Sequence, residues 1–213
     1  MKVFRIVWLV VLFVVVATSG CNESDSGRRA YGTGHDFGGN DPDLYVCIGD
    51  SITAGFGGVT PYPQHLATML GKRVVNQGIG GERVWGGAGR TAATLDQYKP
   101  GFLLILEGVN DIQDNAAAED IIPYLRSMIE MAKARKVLPA IATITPFFGV
   151  REPLNERVFE LNAAIRRLAS EQGILLVDCE RVVRRRPDYV LEDGLHLSEA
   201  GSVAVAAAWA DRL

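Results

Sequence analysis

The sequence has no strong charge of either sign, no internal repeat and few histidines. Its 213 residues carry 22 Lys and Arg against 25 Asp and Glu, so the net charge is −3 at pH 7. A weakly negative chain gives no electrostatic basis for binding nucleic acid, which needs clustered Lys and Arg. The dense basic run Arg184–Arg186 is typical of a solvated loop. The remaining composition, 48% hydrophobic and 22% charged, is that of a globular protein, and the length suits one domain.

The N-terminus is predicted to be a targeting segment, residues 1–21. Lys2 and Arg5 precede an apolar run at 6–17, and small residues then lead to Cys21. This order is typical of an export signal, and the run is shorter than the ~20 apolar residues that span a bilayer. The sequence TSGC at residues 18–21 resembles the lipobox of bacterial lipoproteins, in which the cysteine is lipidated. The alternative is an uncleaved membrane anchor. Either way, we expect the domain to face the periplasm or the cell exterior.

Residues 22–43 are rich in Gly, Ser and Asp and show no periodicity. Such a composition favours a flexible segment because it offers little apolar surface to bury. We therefore predict a tether at 22–43, which contains His35, between the N-terminal anchor and a domain at 44–213.

Only two cysteines belong to the predicted domain. Cys47 and Cys179 lie inside or at the end of apolar, strand-like runs. They could form a disulfide in an oxidising compartment. We expect instead two separately buried thiols, because a free cysteine behaves as a small apolar residue.

From residue 44 onward, apolar runs alternate with helical patterns. The runs are continuous rather than alternating, which is typical of strands buried on both faces of a parallel sheet; they read LYVCIG, RVVNQG, FLLILEG, LPAIATIT and ILLVDC. Strands that alternate with helices predict a three-layer α/β/α sandwich with a mostly parallel five-stranded sheet. In such folds ligands bind beyond the carboxyl ends of the strands.

Polar clusters stand at those strand ends. They are GDS at 49–51, GIGG at 78–81, GVND at 108–111 and DGLH at 193–196, the last just before the final helix. Because the carboxyl ends of parallel strands meet at one edge of the sheet, the four clusters predict a single site there.

The residue types in these clusters suit nucleophilic catalysis. A serine hydroxyl such as that of Ser51 needs a base, and histidine is the usual one near neutral pH. His196 follows Asp193 by three residues, a spacing that lets the carboxylate fix the imidazole tautomer. The alternative is that these two residues only form a turn before a helix. A glycine in the GIGG loop and the Asn110 amide could donate hydrogen bonds to an oxyanion, together with the Ser51 backbone N–H.

These blocks, in this order, resemble the SGNH or GDSL serine hydrolase family, whose fold is flavodoxin-like. The resemblance implies that Ser51 is the nucleophile, His196 the base and Asp193 the acid that orients it. It also implies an oxyanion hole made by Ser51, Gly81 and Asn110. Glu107 stands before the GVND block where the nearest relatives commonly have a small residue. No Gly-x-Ser-x-Gly motif surrounds the serine, which argues against the α/β-hydrolase fold.

The branch that the chain resembles most contains bacterial thioesterases, lysophospholipases and arylesterases. It implies hydrolysis of acyl or aryl carboxylic esters, lysophospholipids or thioesters by a monomer that needs no metal and no organic cofactor. A carbohydrate O-acetylesterase acting on envelope or dietary polysaccharide, an acyltransferase with the same triad, and an inactive ligand-binding lipoprotein are the alternatives.

Four aromatic residues are candidates for the substrate pocket. Phe56, Trp85, Phe147 and Phe148 fall in predicted loops on the catalytic edge, where they would line an acyl or aryl pocket. The alternative is that these rings pack their loops onto the domain.

Overall fold

The computed structural model describes residues 31–213. The predicted targeting segment at 1–21, the lipidation of Cys21 and the first part of the tether, 22–30, lie outside the described residues. Within residues 31–213, no helix has both the length and the apolar character needed to cross a membrane.

Five parallel strands form one sheet in the order β2-β1-β3-β4-β5. They are β1 (Asp41–Gly49), β2 (Arg73–Gly78), β3 (Pro100–Leu106), β4 (Leu138–Ala142) and β5 (Leu175–Val177). At the carboxyl edge Gly49 pairs with Gly78 on one side and with Leu106 on the other, so three strands end together. The predicted five-stranded parallel sheet is confirmed.

Helices cover both faces of the sheet. They are α1 (Ser51–Ala54), α2 (Tyr62–Leu70), α3 (Val84–Tyr98), α4 (Val109–Gln113), α5 (Ala118–Ala134), α6 (Asn155–Gln172), α7 (Cys179–Val183) and α8 (Glu199–Ala210). Short 3₁₀ helices lie at Gly149–Leu154 and Pro187–Tyr189. Helix α8 packs against α2 and α7, while α5 packs against α3 and α6, which gives the predicted three layers.

The apolar pattern of the sequence explains these layers. Every residue of β3 is buried, as expected for a central strand covered on both faces. In α6 the stripe Val158, Leu161, Ile165 and Leu168 is buried at helical spacing. Burying one such side chain contributes about 1.5–3 kcal/mol relative to leaving it exposed, so the stripe holds α6 on the sheet.

The second part of the predicted tether, 31–43, belongs to the folded domain, which corrects the boundary at 44. The Phe37 ring lies 5.6 Å from that of Phe102, and Tyr31 donates a hydrogen bond of 2.8 Å to the carbonyl of Pro139. Two aromatic rings supply enough apolar surface to fix a glycine-rich segment on the domain, and β1 starts before this segment ends.

Both cysteines of the domain are free and buried, as predicted. Burial raises the pKa of the Cys47 thiol to about 12 and also raises that of Cys179. Because the thiolate is the reactive form of cysteine, neither residue is an available nucleophile.

Candidate active site

Ser51 is the first residue of α1, directly after the turn that ends β1. The Asp50 side chain accepts a hydrogen bond of 2.8 Å from the Ile52 N–H and so caps the helix. A Cβ on Gly49 would lie 2.0 Å from the Thr53 hydroxyl, so only glycine lets α1 turn this tightly at the edge of the sheet. Strand, cap and glycine together place the serine hydroxyl at the carboxyl edge of the sheet.

The loop before α8 brings a histidine and a carboxylate to Ser51. The Ser51 Oγ lies 2.9 Å from Nε2 of His196, and Nδ1 of the same ring lies 2.5 Å from Oδ2 of Asp193. The loop owes its shape to Gly194, which has φ +72° and a position where a Cβ would lie 2.2 Å from the Phe148 carbonyl oxygen. The residues DGLH therefore form a compact turn with its imidazole directed at the serine.

The carboxylate of Asp193 is held in its ionised form. Partial burial raises its pKa, but hydrogen bonds from the His196 ring and from the backbone N–H groups of Leu195 and His196 outweigh burial and bring the pKa below its usual value. An ionised carboxylate fixes the imidazole tautomer that leaves Nε2 free to accept a proton. The arrangement is thus able to deprotonate the serine hydroxyl.

The predicted donors to an oxyanion follow the two strands that flank β1. Asn110 donates through Nδ2 to the Glu82 carbonyl at 2.9 Å, which leaves its second amide hydrogen available. Gly81 precedes Glu82 and has φ +75°, a left-handed conformation that favours glycine. Among residues 31–213, the backbone N–H groups of Ser51 and Gly81 donate no hydrogen bond. Ser51, Gly81 and Asn110, the three predicted donors, thus follow the carboxyl ends of β1, β2 and β3, which end together at one edge of the sheet.

The comparison with protein families shows which family contains these four blocks. Residues 47–204 match the model of the GDSL-like lipase/acylhydrolase family. The chain belongs to this family. It is a carboxylic ester hydrolase, and the matched residues include all four blocks of the sequence.

Two curated relatives of this GDSL hydrolase are esterases. The chain is 24% identical over 198 residues to an acetylxylan esterase from Geobacillus stearothermophilus, with 76% of this chain and 90% of the relative covered. It is 27% identical over 164 residues to an arylesterase from Vibrio mimicus, with 71% and 78% covered. Among solved structures, a lipolytic protein of the G-D-S-L family from Desulfitobacterium hafniense has a TM-score of 0.72 at 23% identity, covering 80% of this chain and 99% of that one. The last likeness supports the fold.

Two of the four aromatic candidates lie at the surface of the GDSL hydrolase. Phe56 stacks on the His196 imidazole, with ring centroids 3.8 Å apart and an interplanar angle of 11°. Trp85 is 59% exposed and lies in the first turn of α3 rather than in a loop. Phe56 therefore contacts the histidine directly and leaves about half of its own surface for a substrate.

Of the other two aromatic candidates, one is fully buried and the other is half-buried. Phe147 is 1% exposed, so its predicted place in the substrate pocket is wrong. Its backbone N–H and carbonyl both bond to the Asn155 side chain, at 2.8 and 2.9 Å, which fixes the chain where β4 leaves the sheet. Phe148 is half-buried and packs against the core.

Two polar residues near the site were missed in the sequence. Gln113 donates to Oδ1 of Asn110 at 3.1 Å and accepts from Nη1 of Arg151 at 2.7 Å. The Arg151 Nε also donates to the carbonyl of Asp193 at 3.1 Å, so one arginine joins the two sides of the cleft. Gln113 follows Asn110 by three residues, about one helical turn, and this spacing in the sequence could have indicated the contact. Arg151 carries no such signal, because its contacts depend on the packing of a distant loop.

Proposed function

We propose that this GDSL hydrolase is an exported, lipid-anchored serine esterase that removes small acyl groups from esters. The observation that carries the proposal is the chain of contacts from Ser51 Oγ to His196 Nε2, at 2.9 Å, and from His196 Nδ1 to Asp193, at 2.5 Å. Serine hydrolases use this constellation on several unrelated folds.

The mechanism proceeds in two halves. His196 takes the proton of Ser51 as its oxygen bonds to the ester carbonyl, and the backbone N–H groups of Ser51 and Gly81 with the Asn110 amide stabilise the resulting oxyanion. The C–O bond to the alcohol then breaks, and the imidazolium returns the proton to the alcohol oxygen. Water loses a proton to His196 as it attacks the acyl-enzyme, and the acid leaves as Ser51 regains its proton.

The enclosed space beside the nucleophile is small. The cavity bounded by Ser51, Phe56 and His196 has a volume of about 10 Å³, close to the volume needed for a single water molecule. A preformed tunnel for a long acyl chain would need many times this space. The cavity therefore favours acetyl and similarly short esters over lysophospholipids and long-chain thioesters.

Two alcohol classes are supported for this esterase. The half-exposed Phe56 and the exposed Trp85 offer apolar surface to an aryl group, and one curated relative is named an arylesterase. An O-acetylated carbohydrate is the second candidate, favoured by the small cavity and by the relative named an acetylxylan esterase.

Export and anchoring rest on the sequence of residues 1–21, which end in TSGC. We expect Cys21 to carry the lipid and the protein to fractionate with membranes on the periplasmic or outer side. The variant Cys21→Ser should then appear in the soluble fraction with no lipid mass on its N-terminal peptide. Unchanged membrane fractionation of this variant would favour an uncleaved anchor.

The test of the esterase proposal is a substrate series on the purified full chain in mild detergent. Hydrolysis of p-nitrophenyl esters from acetyl to palmitoyl and of acetylated xylo-oligosaccharides should be highest for the short chains. Ser51→Ala should lower the rate by ~10⁴-fold or more, because removing the nucleophile disables the triad as a unit. Full activity of this variant would overturn the mechanism, and a maximum at palmitoyl would overturn the short-acyl assignment.

A further inference from the structure

A buried carboxyl group lies behind the oxyanion donors without a partner. Glu107 follows β3 directly, is 1% exposed, and neither of its oxygens has a hydrogen-bond partner among the described residues. It is wedged against α3, where a Cβ on Gly87 would lie 2.7 Å from its Oε1. A buried polar group that neither donates nor accepts is costly, so this carboxyl needs an explanation.

The charges around Glu107 make an ionised form unfavourable. Burial raises the pKa of this carboxyl well above its usual value, and the nearby Asp50 and Glu82 carboxyls raise it further. Arg90 acts in the opposite direction, but its guanidinium is already bound to Glu82, with Nε donating to both carboxylate oxygens at 2.8 and 3.0 Å. One guanidinium is therefore near both Glu82 and Glu107 but is bound by Glu82, and the protonated form of Glu107 is favoured.

The other charged groups of this cluster come from three parts of the chain. Asp50 comes from the turn between β1 and α1, Glu82 from the loop after β2, and Arg90 from α3. Burial, with the charges of Asp111 on α4 and of Glu82, raises the pKa of Asp50 to about 7. Glu82 holds the arginine and is the carboxylate best placed to accept a hydrogen bond from a protonated Glu107, because the two side chains lie against neighbouring glycines of α3, Glu82 at Gly86 and Glu107 at Gly87.

Glu82 connects the cluster to the oxyanion side of the site. It follows Gly81 in the chain, and its carbonyl accepts the hydrogen bond from Asn110. Through Arg90, whose Nη2 donates to the Gln77 carbonyl at 2.7 Å, the Glu82 side chain is tied to the end of β2. The position of this one side chain thus affects two of the proposed oxyanion donors.

We propose that the Glu107 carboxylic acid is a positioning residue, which donates a hydrogen bond to the Glu82 carboxylate and so holds Gly81 and Asn110 in place. This inference rests on the proposed role of Gly81 and Asn110 in the esterase reaction. Loss of the proton would put an unpaired charge beside Asp50 and Glu82 and would repel the loop after β2. The enzyme should therefore lose activity as the pH rises through the ionisation of Glu107.

The test compares Glu107→Gln, which keeps a donor without a charge, with Glu107→Leu, which removes the donor at similar size. The kcat and KM of the full chain on p-nitrophenyl acetate are measured from pH 5 to pH 10, with Ser51→Ala alongside. At pH 7 the Gln variant should stay within about threefold of the wild type, and the Leu variant should lose about 10²-fold in kcat with little change in KM, as for a lost oxyanion donor. At pH 10 the Gln variant should keep the activity that the wild type loses.

Several results would overturn the inference. Equal activity of the Gln and Leu variants, or an alkaline decline of the Gln variant that coincides with the wild-type decline, would show that the carboxylic acid positions nothing. If Glu107→Leu fails to fold, the alkaline behaviour of Glu107→Gln alone decides. If the Ser51→Ala variant instead kept the wild-type activity, the proposed function would be refuted. Failure of the proposed function is therefore distinguishable from failure of the inference about Glu107.

Discussion

Asp193 and Glu107 are two carboxyl groups of the catalytic region, one at the cleft and one buried behind it, and their surroundings differ completely. Asp193 is partly exposed and accepts from two backbone N–H groups and an imidazole, whereas Glu107 is buried and accepts from nothing among the described residues. The pKa of the first lies below its usual value and that of the second well above it. Similar chemical groups can therefore serve as a fixed anion and as a neutral donor, because the degree of burial and the number of donors around each decide its charge.

The two sides also differ in how the chain builds them. Asp193 and His196 lie three residues apart in one turn, so local backbone geometry creates their contact. The opposite side joins residues that follow β2 and β3 with Arg90 from α3, and these contacts join residues 8 and 28 positions apart in the sequence. The triad side is thus fixed by a short loop, and the oxyanion side depends on the packing of the whole sheet.

The substitution with the largest expected effect is Asp193→Asn, which tests the role of the carboxylate on the triad side. We expect a loss of about 10³–10⁴-fold in kcat, because an amide in place of the carboxylate favours the wrong imidazole tautomer. The neighbouring Glu192→Gln is the control, since Glu192 is exposed and should leave kcat unchanged. Steady-state kinetics on p-nitrophenyl acetate measure both variants, and a loss below tenfold for Asp193→Asn would contradict the assigned role.

A second variant tests the opposite side of the cleft. Asn110→Ala removes an amide donor and should lower kcat by about 10²–10³-fold, with KM nearly unchanged. Gln113→Ala should have a smaller effect, about tenfold, because Gln113 only orients the Asn110 amide through its hydrogen bond of 3.1 Å. The same kinetic assay applies, and equal losses in the two variants would mean that Asn110 does not act on the reacting atoms.

The smallest expected effect is on the thermal stability of the protein, and it tests the difference in charge between Glu107 and Asp193. Because the folded state raises the pKa of Glu107, the folded protein binds a proton that the unfolded chain has released, and its stability falls as the pH rises. Glu107→Gln removes this penalty and should raise Tm at pH 8 by roughly 2–4 °C. The gain should shrink towards pH 5.

Thermal unfolding followed by circular dichroism measures this difference, with Glu160→Gln as an exposed control. A gain that does not depend on pH, or one that the control variant shares, would mean that Glu107 is ionised in the folded protein.

The sequence allowed the prediction of features that depend on local patterns. The parallel sheet follows from unbroken apolar runs, and the spacing of Asp193 and His196 indicates their turn. Phe147 could not be assigned correctly, because whether a ring at a strand end faces the cleft or the core depends on the loops that pack around it. Burial of Glu107 between β3 and α3 was likewise invisible, since it needs a glycine at position 87 to make room. The docking of residues 31–43 depends on contacts with strands far along the chain.

The described chain enters the domain at the end opposite its catalytic cleft. Tyr31 bonds near the amino ends of β4 and β5, whereas Ser51 stands at the carboxyl end of β1. A central strand such as β3, with seven residues, is roughly 23 Å long. For a protein held at Cys21, as proposed, attachment on the side of Tyr31 would place the nucleophile about one sheet length from the supporting bilayer. Such an orientation suits substrates that arrive from the surroundings rather than the lipids in which the enzyme is anchored.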